Sequence, residues 1–160
     1  MTAVLAALTV AGVLDLSVPF VPQEKNTCAA ASLAMVLRYW GRPAAPAEIA
    51  GALLQPELRG IAGSQLAAFA RERRLLAVAY EGDLEQLRDY LAKGRPLIVA
   101  WKVGRNRYHN VVAVGFDEER DEVLVNDPGE GASRRLSART FEERWAGAGH
   151  WTLFVQPAPP

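Results

Sequence analysis

The stretch SVPFVPQEKNTCAAASLAMVLRYWG, residues 17–41, decides the fold. Pro19 and Pro22 remove backbone donors, so Leu16–Val21 suits an extended edge segment better than a central strand. Asn26 and Thr27 are helix-capping types, and Leu33, Val36, Leu37 and Trp40 recur at helical spacing until Gly41 stops the pattern. A helix is therefore expected to begin at Cys28 or within one residue of it. A thiol at that position lies near the positive end of the helix dipole and the unsatisfied N–H groups of the first turn, both of which favour thiolate.

Working outward, Pro46 and Glu48 open a short helix through Leu54, Ser64 caps another that ends near Arg74, and Asp83 caps a third that ends at Gly94. β-rich runs follow or interleave: Leu75–Tyr80, Pro96–Lys102, His109–Phe116, Val123–Asn126 and Trp151–Val155. The loops VGRNRY and DEERDE join the later runs as antiparallel neighbours, and Ser137 caps a last helix through Trp145. Helices segregated ahead of a mostly antiparallel sheet make an α+β fold, with the N-terminal helices packed on the sheet.

Composition agrees with one such unit. The 160 residues are 50% apolar, enough to bury a core without disulfides or metal. Eighteen Lys and Arg balance eighteen Asp and Glu, and 13 Gly with 10 Pro is not a disordered composition, so a nucleic-acid-binding surface is not expected. The single cysteine cannot form an internal disulfide, and with only two histidines no zinc-finger spacing exists; no metal and no cofactor is expected. The charged run Arg71, Glu72, Arg73, Arg74 reads as a solvated helix end rather than a partner surface.

Residues 1–15 form an apolar N-terminal segment, 16–156 the main domain and 157–160 a Pro-rich tail. The unbroken run AVLAALTVAGVL at residues 3–14 is too short to span a bilayer. It has the length of an export-signal core, with Thr9 and Ala11 as a small-residue cleavage pattern, but no basic start. An element packed on the domain and an export signal both fit, so location inside or outside the cell stays open, as does the oligomeric state.

A cysteine nucleophile needs a base. His109 opens the run HNVVAVGF directly after a polar loop, and Asp127 closes the next run, VLVND. If the two runs pair as antiparallel neighbours, the start of one lies beside the end of the other, and Asp127 can fix the imidazole tautomer and stabilise its charged form. Gln23, five residues before Cys28, can aim its amide N–H at a developing oxyanion beside the Cys28 backbone N–H. Singly, each residue also fits a plainer role: a buried thiol, a core histidine, an Asp-Pro-Gly turn, a loop glutamine. His150 has no acid downstream in this order and reads as structural.

With VPFVPQEKNTCAAASLAMVLRYWG, YHNVVAVGFD and VLVNDPG taken together, the chain resembles the papain-like cysteine peptidases of the bacteriocin-processing, double-glycine leader family, in stand-alone form. The resemblance covers Ser17 to Pro128 and on to the last strand, most of the chain, and implies Cys28 as nucleophile, His109 as base, Asp127 as orienting acid and Gln23 as oxyanion donor. It implies a peptide or protein substrate cut after small residues such as Gly or Ala, through a thioester. Members commonly carry glycine after the cysteine; here Ala29 and Ala30 stand there and are expected to narrow the approach, with Trp40, Trp101 and Tyr108 available to wall the cleft. An acyltransferase or amidase with the same triad, and a catalytically silent peptide-binding module, are the competing readings.

Overall fold

The computed structural model describes residues 8–10 and 12–160; the expectations for residues 1–7 and 11 lie outside the described residues. In chain order the elements are β1 (Leu8–Val10), β2 (Val13–Asp15), α1 (Cys28–Tyr39), α2 (Pro46–Leu53), α3 (Gly63–Glu72), β3 (Leu75–Glu81), α4 (Leu84–Ala92), β4 (Leu97–Gly104), β5 (Arg107–Asp117), β6 (Glu122–Asp127), β7 (Gly131–Ser137), α5 (Ala138–Ala146) and β8 (Trp151–Pro157). A 3-10 turn at Pro56–Leu58 lies between α2 and α3. No helix among the described residues is long and apolar enough to cross a membrane.

All strand pairs are antiparallel, in the order β1-β2-β5-β4-β8-β3, with β6 on β5 and β7 on β6. β5 organises the sheet. One of its edges takes β4 along Arg107–Ala113 and β2 along Gly115–Asp117; the other takes β6. Gly115 is needed where β2 arrives, because a Cβ there would stand 1.9 Å from the Leu14 carbonyl oxygen. This is the α+β, helix-on-antiparallel-sheet arrangement expected from the sequence.

α1 is the central helix. Its run of alanines lets it approach β5 closely, and ten of its twelve residues are buried, from Ala29 through Leu37 and Tyr39. Removing Leu33, Met35 and Leu37 from water stabilises this packing by roughly 1.5–3 kcal/mol per side chain. At its far end Trp40 donates Nε1–H to the Val155 carbonyl at 2.9 Å, which anchors α1 to β8.

The capping expectations hold for Asp83, which accepts from Gln86 N at 2.8 Å, and for Ser137, which accepts from Thr140 N at 3.1 Å. Two differ. α3 starts at Gly63 after Ala62, with Ser64 already inside the helix, because Gly63 lies flat against the Trp151 ring where a Cβ would be 2.6 Å from Cζ2. Thr27 precedes α1 but does not cap it: its hydroxyl is taken up by Glu24, accepting from the amide at 2.8 Å and donating to the carbonyl at 3.0 Å. The Ala29 N–H in the first turn of α1 acts on the thiol.

Leu16–Val21 is extended, as expected, without a ladder beyond the bond from Leu16 N–H to Val114 O, and it buries Leu16, Val18 and Val21. β7, with the sequence GASRRLS, was not expected as a strand; it is a polar edge strand with a single apolar residue of any size, Leu136.

Candidate active site

The start of α1 abuts β5, and the end of β6 lies beside the start of β5, so three sequence-distant residues converge. Asp127 Oδ1 lies 2.6 Å from His109 Nε2, with both side chains largely withdrawn from solvent. The Nε2 position being occupied, Nδ1 is the ring nitrogen left for Cys28, and thiol and imidazole shift each other's pKa. Gly129 N–H donates to the same Asp127 oxygen at 2.9 Å and fixes the carboxylate in place. The sulfur also receives the Asn110 backbone N–H at 3.5 Å.

These contacts set the protonation states. Burial of Cys28 pushes its thiol up, but the His109 hydrogen bond and charge together with the Asn110 and Ala29 backbone N–H groups outweigh it, and the net pKa is lowered from 9.0. For His109 burial works against the imidazolium, yet the hydrogen bonds and charges of Asp127 and Cys28 prevail and raise it from 6.5 to about 9. Asp127 is likewise opposed by burial and still held below its ordinary range by His109 and the Gly129 N–H. The arrangement favours a thiolate beside an imidazolium beside a carboxylate.

The three residues line a groove of about 1510 Å³. Trp101, Tyr108 and Trp151 form part of its wall, together with Pro56–Gly63. Gln23 is in the same groove: its backbone N–H donates to Pro128 O at 2.9 Å, which ties the loop before α1 to the turn after Asp127. Among the described residues Gln23 Oε1 is buried without a partner, while Nε2 makes no hydrogen bond and is not closed off. All four residues singled out by sequence are thus brought together.

Several expectations need correcting. Trp40 does not wall the groove, since its indole is committed to Val155 at the opposite end of α1. Ala29 and Ala30 do not narrow the approach to the thiol: both are buried in the core behind it. His150, read as structural, pairs through Nε2 with Glu142 and stacks edge-on against Trp145 at 5.0 Å, away from the thiol. Sequence reasoning missed Asn110, which supplies a backbone donor and a side-chain oxygen, 4.0 Å away, to the sulfur. Its position next to His109 was the available signal.

Comparison with known proteins identifies the fold and the family. The chain's fold matches the peptidase domain of Streptococcus ComA, a bifunctional ABC transporter of a quorum-sensing pathway, with a TM-score of 0.75 and 22% identity over 88% of this chain and 99% of that one. A putative C39-like peptidase from Bacillus anthracis matches with a TM-score of 0.74 and 18% identity, covering 91% of this chain and 98% of that one. A double glycine motif protease from an AMS/PCAT transporter, solved with its leader peptide, matches with a TM-score of 0.73 and 26% identity over 90% and 94% of the two chains. No curated protein matches the sequence. The model of the Peptidase_C39 like family covers residues 15–152, and the chain belongs to that family.

Proposed function

We propose that this protein is a cysteine peptidase that cuts peptides after Gly or Ala, with Cys28 as nucleophile, His109 as acid and base, Asp127 as orienting acid and Gln23 as oxyanion donor. The observation that carries the reading is Asp127 Oδ1 at 2.6 Å on His109 Nε2, in the groove that Cys28 also lines, with the thiol lowered and the imidazole raised by each other. Family membership and the similarity to peptidase domains support the reaction class.

In this mechanism the Cys28 thiolate attacks the scissile carbonyl carbon. The oxygen takes the electron pair and meets the Gln23 amide and the Cys28 backbone N–H, donors worth about 10²–10³ in rate each where charge develops. The imidazolium gives its Nδ1 proton to the leaving amine nitrogen, the C–N bond breaks and a thioester remains. His109 then takes a proton from water, the resulting hydroxide attacks the thioester carbon, and the C–S bond breaks to release the acid and regenerate the thiolate. Asp127 keeps the ring in the one tautomer that serves both steps.

The preference for small residues rests on the bulk around the thiol, where Trp101 and Trp151 stand in the groove and Gly63 packs against Trp151 with no room for a methyl group. A library of peptides varied on the acyl side of the cut tests it. Cleavage after Gly and Ala with loss of product for larger residues is expected; preference for large aromatic or basic residues would overturn the specificity, and no cleavage by any peptide would overturn the reading.

A further inference from the structure

Alternation along β5 turns His109 and Asn110 to opposite faces, yet both reach Cys28, because the first turn of α1 lies against the strand backbone itself. Two bonds hold it there. Asn110 N–H donates to Sγ at 3.5 Å, and Ser32, one turn further along α1 and fully buried, donates its hydroxyl to Asn110 O at 3.2 Å. The Asn110 side chain is then fixed by a third contact, Nδ2 donating to Val99 O at 3.4 Å on β4. That contact sets the amide's orientation, since turning it over would bring the amide oxygen against the Val99 carbonyl. The oxygen therefore faces the sulfur, at 4.0 Å.

A thiol can donate its proton to that oxygen; a thiolate has nothing to donate and meets a lone pair instead. We infer that Asn110 is a positioning residue with two opposed effects on Cys28, its backbone N–H favouring thiolate and its side-chain oxygen holding a share of the thiol neutral. Ser32 holds the backbone half of the residue in place, and the Val99 carbonyl holds the side-chain half. The inference takes its meaning from the reading of Cys28 as nucleophile, but its test does not depend on that reading, because it needs no substrate.

The charged groups that act on the sulfur most directly are His109 of β5 and, behind it, Asp127 of β6. Lys25, Glu57, Arg59, Arg107, Glu130 and Arg144 stand around the groove, with the Tyr108 phenol. All are the same in the native protein and in a variant at position 110, so the difference between the two isolates the amide.

The test is the rate of iodoacetamide alkylation of Cys28, the only cysteine in the chain, as a function of pH. Asn110→Ala keeps the backbone donor and removes the acceptor. The midpoint of its profile should move to lower pH by about half a unit or more, roughly a threefold gain in rate on the acid side. Asn110→Thr, whose side chain suits a strand and can donate to thiolate, should move it the same way, and it serves where the alanine variant is too unstable to titrate. If the side chain matters only for structure, loosening the site moves the midpoint up toward the unperturbed 9.0, the opposite sign. An upward or absent shift in both variants overturns the inference, whereas failure of the peptidase reading would appear separately, as absent peptide cleavage by the native protein.

Discussion

Asn126 and Asp127 are consecutive in β6 and face opposite sides of it: Asp127 holds His109, while Asn126 donates from Nδ2 to Val18 O at 3.1 Å and accepts Ser133 N–H at 2.9 Å. The two amide-or-acid side chains are not interchangeable, although both lie within reach in sequence. Asp127→Asn should retain a partner for the ring but lose its charge, so the His109 pKa falls from about 9 and the alkaline limb of the turnover profile moves to lower pH. Adding Asn126→Asp to Asp127→Ala should restore nothing, since position 126 points at Val18; recovery of turnover in that double variant would contradict the assignment.

Stability and activity should share a pH signature. His109 is raised from 6.5 to about 9, so its charged form is favoured by folding; that contribution is complete below 6.5 and lost as pH rises through 9. The difference in melting temperature between the native protein and His109→Gln should therefore shrink across that interval. Turnover should fall over the same alkaline range, where the imidazolium that must protonate the leaving amine is titrated away. A profile still rising at pH 10 would be inconsistent with His109 in that role.

Cys28→Ala and His109→Ala should abolish peptide cleavage and still unfold cooperatively, because neither side chain holds the core together. Gln23→Ala should lower kcat by about 10²–10³ with little change in melting temperature, as expected for one of two oxyanion donors. A loss below tenfold would take Gln23 out of the mechanism.

Gly115→Ala places a methyl group where the Leu14 carbonyl oxygen now is, at 1.9 Å, and backbone cannot swing aside as a side chain can. The β1–β2 hairpin must shift from β5, at a cost of about 1–3 kcal/mol measured by urea denaturation. Gly51, which has open space around it, is the control; Gly51→Ala should be neutral or stabilising.

Much of the site was legible because its residues carry local signals. The apolar spacing from Leu33 to Trp40 marked α1 as a helix, Asn26 and Thr27 set its start at Cys28, and the DEERDE turn made His109 and Asp127 neighbours across β5 and β6. β7 was illegible because its side chains are mostly exposed and polar, and its strand conformation is imposed by the β6 edge, with no alternation of its own. Ser64 and Thr27 look like caps in isolation, but the packing of Gly63 on Trp151 and the claim of Glu24 on the Thr27 hydroxyl decide otherwise. Trp40 and the two alanines were misplaced for a related reason: composition near a nucleophile does not say which side of the helix faces the groove. Asn110 acts through a main-chain N–H, which no residue type announces.

β8 follows every other described element in sequence, yet it is an interior strand, inserted between β4 and β3 and joined to the end of α1 through Trp40. During synthesis, then, β3 has no sheet to join, and the Trp40 indole no carbonyl partner, until Trp151–Val155 leaves the ribosome. That side of the sheet closes only after the segments bearing Cys28, His109 and Asp127 have all been translated.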